Sequence, residues 1–255
     1  MASKEGKIAV FDSGVGGISV LRELVKCMPG ENFLYFGDSA NAPYGGKSPE
    51  EVCDLTIQAV HMLLSRDVKA LVVACNTATA VAIGRLREQY PDTIIIGIEP
   101  ALKLAADRYP AGKIGIMATK VTLKEEKLAH QLERFPQADV ARIAAPGLVK
   151  LIESGVTEGA QVEELLNKVL APYVGKLDAL VLGCTHYPFV KPVVAKILGE
   201  KTELFDGGEG TARHTRKCLE QAGLLNETDG SITIENSLGT AKILEFSYKL
   251  LDTNS

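Results

Sequence analysis

Residues 69–77 read KALVVACNT, and residues 178–186 read DALVLGCTH. Each is an apolar run that stops at a cysteine, Cys75 or Cys184, followed directly by Asn76 and Thr77 or by Thr185 and His186. One cysteine at the end of a buried strand is an ordinary small hydrophobe. Two at corresponding places of an internal repeat point to chemistry, because both stand beside polar side chains at expected helix N-termini, where partial positive charge favours thiolate. A thiol with a reference pKa of about 8.5 removes a proton when ionised and donates one when protonated. Two such groups facing one carbon from opposite sides suit racemisation, in which a proton leaves one face and another arrives at the other.

The two halves differ where the chemistry would need them to. KIAVFDS (7–13) and KIGIMAT (113–119) match in the same order and at nearly the same separation as the cysteine segments. In that alignment Asp12 corresponds to Ala118, and His186 corresponds to Thr77. Asp12 is therefore expected to assist Cys75, and His186 to assist Cys184. Ser13, Asn76, Thr77, Thr119 and Thr185, with backbone N–H groups, are expected to hold the substrate carboxylate and stabilise a developing carbanion. The cleft-facing motifs contain no arginine, so neutral donors are the expected carboxylate binders. Cys27, Cys53 and Cys218 fall inside helical patterns and read as structural.

These residues need strand ends to hold them. Strand-like runs recur at 7–11, 32–37, 69–74, 93–98, 113–118, 178–183 and 202–207. Between most of them lie patterns with apolar residues at three and four, such as ISVLRELVKCM and PEEVCDLTIQAVHMLLSR. The second has a marked start, with Ser48 as N-cap, Pro49 in the first turn and Glu51 placed for a capping box. Strand and helix in alternation predict an α/β fold: two similar, pseudo-symmetric domains with mostly parallel sheets. The first domain is expected to comprise 1–98 plus about 207–255, and the second 99–206. Ligands of such sheets bind beyond the carboxyl ends of the strands, so the active site is expected in the cleft between the domains. The glycine-rich DSGVGG (12–17) follows the first strand but is not GxGxxG, because Ser19 stands where the third glycine would be. Its N–H groups suit a carboxylate as well as a phosphate.

The totals narrow the partners. The 255 residues are 46% hydrophobic and 24% charged, with a net charge of −4 and no Lys/Arg block. This is an ordinary globular composition with no electrostatic footprint for nucleic acid, and a small-molecule substrate is expected. No stretch reaches transmembrane length and the N-terminus lacks the pattern of a signal peptide, so no membrane association and a cytoplasmic location are expected. Five cysteines without a CxxC pair fit free thiols in a reducing compartment rather than disulfides or a zinc site, and no metal is expected.

FDSGVGGISVL (11–21), DSANAPYGGKS (38–48), ACNTAT (74–79) and LGCTHYP (182–188) together closely resemble the aspartate/glutamate racemase family, and the resemblance runs essentially end to end. It implies a cofactor-independent interconversion of L- and D-glutamate that supplies D-glutamate for bacterial peptidoglycan, in two α/β domains with the site between them, commonly as a homodimer. Carried over by position, Cys75 becomes the acid/base acting on D-glutamate and Cys184 the one acting on L-glutamate. Asp12, Ser13, Tyr44, Gly45, Asn76, Thr77, Thr185 and His186 match substrate-binding and assisting positions. Glu153 matches a further acidic residue near the second cysteine. Gly207 stands where the family usually has Ser or Pro, and Ala145 where Cys is frequent; neither is expected to touch the central constellation. Two alternatives remain open: a sibling racemase for aspartate or another amino acid, and a two-lobed protein that binds a small molecule without reacting with it. A cysteine hydrolase would need only one nucleophile, and a zinc enzyme more clustered ligands.

Overall fold

The computed structural model describes residues 3–99, 101–124 and 126–252. Among these residues the strands are β1 (Lys7–Asp12), β2 (Asn32–Gly37), β3 (Val68–Val73), β4 (Ile94–Gly97), β5 (Lys113–Ala118), β6 (Asp139–Ala144), β7 (Ala179–Gly183), β8 (Glu203–Asp206) and β9 (Ser231–Asn236). All pairings are parallel. One sheet has the order β4-β3-β1-β2-β9 and the other β6-β5-β7-β8. Read from its other edge, the second sheet runs β8-β7-β5-β6, which repeats β4-β3-β1-β2 of the first. The repeat seen in the sequence is therefore a repeat of topology, and β9 is the added edge strand.

Side-chain alternation explains why the central strands read as unbroken apolar runs. Ile8 and Val10 of β1 enter one core while Ala9 and Phe11 enter another on the opposite face. In β7, Ala179 and Val181 face one way, and Leu180 and Leu182 the other. A strand buried on both faces has no position for a polar residue until it ends. Cys75 and Cys184 lie just past β3 and β7, each still packed at the edge of a core.

The helices fill the connections: α1 (Ile18–Cys27), α2 (Pro49–Leu64), α3 (Asn76–Gln89), α4 (Leu102–Arg108), α5 (Lys120–Lys124), α6 (Glu126–Glu133), α7 (Leu148–Glu153), α8 (Ala160–Leu170), α9 (Lys191–Leu198), α10 (Gly208–Gln221) and α11 (Ala241–Asp252). At α2 the Ser48 hydroxyl accepts the Glu51 N–H at 3.2 Å, but the Glu51 carboxylate pairs with Lys47 Nζ at 2.5 Å, so the expected capping box is half made. After β8 the chain returns to the first sheet, where Ala212, Leu219, Ile243 and Leu250 of α10 and α11 pack with Ile8, Val10 and Leu21. No helix among the described residues is long and apolar enough to cross a membrane.

Candidate active site

β1, β3, β5 and β7 are all inner strands of their sheets, as is β2, and the loops at the carboxyl ends of the first four meet around one cavity of about 260 Å³. That is the scale of a site for a small metabolite. Ser13, Tyr44, Gly45, Asn76, Thr77, Thr119 and Thr185 line it, together with Cys75, Cys184 and His186. Both cysteines thus border the same cavity. Asp12 and Glu153 do not line the cavity. They stand behind it, Asp12 with no exposed surface at all.

Cys75 is the N-cap of α3, and its sulfur accepts the Ala78 N–H at 3.4 Å and lies 3.5 Å from Ser13 Oγ. The sequence predicts a thiolate favoured by the helix terminus, and here the structure differs. Burial pushes the Cys75 thiol up to about 12, reinforced by the negative charge of Asp12, and the donors at Ser13 and Ala78 do not compensate. One hydroxyl and one amide offset less than the loss of bulk water plus a nearby carboxylate. Cys75 is therefore held as a thiol.

Cys184 has a different neighbour. No regular helix starts at it; the chain makes a short 3₁₀ turn over Tyr187–Val190 before α9. Its sulfur lies 3.7 Å from His186 Nδ1, and His186 Nε2 is 2.6 Å from Glu153 Oε1. Burial opposes charge on the imidazole, yet the hydrogen bonds to Cys184 and Glu153 outweigh it and hold His186 well above the ordinary histidine value. Burial likewise opposes charge on Glu153, but His186, the Val15 N–H and the Ser39 hydroxyl hold its carboxyl below the ordinary value. The result is an ionised pair with its cation against Cys184.

The DSGVGG loop turns out to receive carboxylates belonging to the protein itself. The Gly14 N–H donates to Asp12 Oδ1 at 3.0 Å, and the Val15 N–H to Glu153 Oε1 at 2.8 Å. Its glycines are required by close approach across the cleft. A Cβ on Gly14 would fall 1.9 Å from Glu153 Oε1, and one on Gly16 would fall 2.4 Å from His186 Nδ1. Asp12 also accepts the Thr185 hydroxyl at 3.0 Å; burial raises its pKa, although His186 and Thr185 pull it down. Thr77 and Thr119, from opposite sheets, bring their hydroxyls within 3.0 Å of each other.

Asn76 supplies a further polar atom: its buried side-chain oxygen accepts no hydrogen bond from the described residues. An unpartnered acceptor in a cavity wall is suited to a ligand's N–H. Sequence reasoning missed several wall residues. Ala145 lines the cavity, contrary to the expectation that it lies apart from the constellation. Lys120 and Lys150 stand exposed at its margin, adding basic groups to a site expected to use neutral donors. Both sit in unremarkable helical contexts, so their spacing carried no signal. Gly207 meets the chain crossover, where a Cβ would fall 2.4 Å from the Glu99 carbonyl oxygen, leaving no room for the Ser or Pro common elsewhere.

Comparison with known proteins agrees with this geometry. Residues 9–215 match the family model described as Asp/Glu/Hydantoin racemase. A glutamate racemase of Clostridium acetobutylicum is 48% identical over 256 residues, covering 99% of this chain and 100% of that protein. The crystal structure of a glutamate racemase isoform from Bacillus anthracis superposes with a TM-score of 0.88 at 32% identity, covering 98% of this chain and 96% of that one. The glutamate racemase of Francisella tularensis, solved in complex with D-glutamate, gives a TM-score of 0.85 at 29% identity, covering 98% and 95%. Two topologically equivalent sheets, a thiol at the same point of each, and this full-length similarity lead to one conclusion: the chain belongs to the Asp/Glu/Hydantoin racemase family.

Proposed function

We propose that this chain is a glutamate racemase working by two thiols, and that its lobes, 1–98 with 207–255 and 99–206, carry one thiol each. The observation that carries the reading is the pair Cys75 and Cys184 on one cavity with unlike partners, a buried carboxylate for the first and an imidazolium for the second. L-Glutamate binds with its Cα–H toward Cys184, which takes the proton as thiolate; the Cys75 thiol then gives a proton to the opposite face, forming D-glutamate. The reverse reaction runs through the same groups with their roles exchanged. The unpartnered Asn76 oxygen suits the substrate ammonium, and the hydroxyls of Ser13, Thr77, Thr119 and Thr185 suit its carboxylates. Lys120 and Lys150 at the margin favour a dicarboxylic, net anionic amino acid over a neutral one. D-Glutamate made here would serve peptidoglycan synthesis, and a homodimer is the expected assembly.

Incubation with L-glutamate in D₂O, without pyridoxal phosphate, is expected to give loss of optical rotation and deuterium at Cα. Cys75→Ser and Cys184→Ser are each expected to lower racemisation by at least a thousandfold while leaving the circular dichroism spectrum unchanged. Full activity in either variant overturns the two-thiol reading, and turnover of aspartate in place of glutamate moves the assignment to the sibling activity.

A further inference from the structure

Glu153 is held from the opposite lobe by more than the Val15 amide. Ser39, in the turn after β2, places its Oγ 3.1 Å from Glu153 Oε2. The same Oγ accepts from Asn236 Nδ2 at 2.9 Å. A serine hydroxyl has one proton, so a donor arriving from Asn236 leaves that proton to point at Glu153. The orientation of the Asn236 amide is fixed in turn, because its Oδ1 accepts the Leu238 N–H at 3.0 Å. Asn236 is buried at the end of β9, opposite Gly37, where a Cβ would fall 3.0 Å from its Nδ2. The polar path therefore runs Asn236, Ser39, Glu153, His186, Cys184, from the edge strand of one sheet to the sulfur of the other.

We propose that Ser39 and Asn236 are positioning residues for the Cys184 half-reaction: Asn236 aims the Ser39 hydroxyl, and Ser39 fixes the carboxylate that orients His186 beside Cys184. The proposal rests on the two-thiol reading above. A purely structural role for these bonds is already filled, since the Ala40 N–H donates to Ser237 Oγ at 2.9 Å and ties the same turn to the end of β9. β9 has no counterpart in the second sheet and lies beyond the residues matched by the family model. The path thus serves Cys184 and not Cys75. His186, Asp12 and Tyr35 are among the ionisable groups that sense Glu153, and none of these is changed by the substitutions below.

Three variants test it: Ser39→Ala removes the donor, Ser39→Thr keeps it, and Asn236→Asp keeps the acceptor for Leu238 while replacing the donor to Ser39 by an acceptor that captures its proton. Ser39→Ala and Asn236→Asp are each expected to lower kcat about tenfold in both directions, as for loss of one hydrogen bond to a charged group, with KM within about twofold. Ser39→Thr restores most of the rate. The double variant is no slower than Ser39→Ala alone, because Asn236 acts through Ser39. Primary isotope effects give the decisive readout. Slower transfer at Cys184 makes Cα–H cleavage of one enantiomer more rate-limiting and that of the other less so. The effect with Cα-deuterated L-glutamate is expected to rise, and that with Cα-deuterated D-glutamate to fall. Isotope effects that stay put or move together, or losses that multiply in the double variant, overturn the proposal. Opposite shifts with the enantiomers exchanged uphold it and reassign the thiols, whereas absence of racemisation in the unsubstituted protein defeats the reading on which it rests.

Discussion

Glu153 and His186 hold opposite charges where burial opposes both, and this makes them a pH-dependent contribution to stability. Glu153, ordinarily near 4.5, is lowered, so its contribution is complete above that value and is lost as pH falls through the folded value below it. His186, ordinarily near 6.5, is raised, so its contribution is complete below that value and is lost as pH rises through the folded value above it. The pair contributes fully between about pH 4.5 and 6.5. Asp12 acts in the other sense: its raised pKa means that ionisation above its ordinary 3.8 costs stability. Glu153→Gln is expected to lower the denaturation midpoint most within the Glu153–His186 window and less toward alkaline pH. A loss independent of pH, measured by urea unfolding across that range, would show that the pair is not ionised. Cys75 and Cys184 were legible from spacing alone, because an apolar run ending in cysteine occurs twice at equivalent points. Ser39 and Asn236 were not. A serine in SAN and an asparagine in SITIEN look like turn and surface residues until folding brings them to Glu153.

At the scale of elements, the loop after β1 decides how closely the lobes meet. Gly14 and Gly16 do not take left-handed backbone conformations, so alanine is conformationally permissible there and only the opposing side chains object. Gly14→Ala must displace the Glu153 carboxylate from the Val15 amide and Ser39. It is expected to reduce activity roughly a hundredfold, as for an ångström-scale displacement of the group that orients His186 in the proposed reaction, with little change in melting temperature. Unfolding of this variant would mean that the loop supports the first sheet itself. Burial on both faces made the central strands plain, although the partly exposed edge strand β8 was legible too. β1, β3, β5 and β7, covered on both faces, read as continuous apolar runs, and β2, β4 and β8 were also recovered. DVARIA of β6 and SITIEN of β9 were not, since each is an edge strand with polar and partly exposed positions. The half-made capping box at α2 belongs to the same lesson: the spacing was right, but Lys47 offered Glu51 a full opposite charge instead of an amide.

Across the molecule, the returning C-terminal segment is secured far from the cleft. Lys69 and Glu31 are buried without side-chain exposure, with Lys69 Nζ 2.6 Å from Glu31 Oε2. Lys69 Nζ also donates to the Leu224 carbonyl at 2.9 Å and to the Lys4 carbonyl, while Glu31 Oε1 accepts the Asn226 N–H at 2.8 Å. Strands β2 and β3, the N-terminus and the connection from α10 to β9 thus share one polar knot. Lys69→Met leaves Glu31 buried without its cation, and is expected to cost about 3–5 kcal/mol by urea denaturation. The paired change Lys69→Met with Glu31→Leu is expected to recover part of that loss; equal losses in the single and double variants would show that the ion pair is not the cause. This knot also holds β9 in place, and with it the polar path to Cys184.

The unlike settings of the two sulfurs have a consequence for what happens between turnovers. Mirror-image substrates have equal free energy in water, so no asymmetry of the protein can favour one enantiomer at equilibrium. What the asymmetry does fix is the setting of each sulfur, with Cys75 buried beside Asp12 and held as a thiol, and Cys184 3.7 Å from His186 Nδ1. In the proposed reaction each conversion of L- to D-glutamate leaves one proton more on Cys184 and one fewer on Cys75. The empty enzyme must then shuttle a proton back before it accepts L-glutamate again, although it is already primed for D-glutamate. The protein thus keeps, for the lifetime of that proton, a memory of which hand it last released.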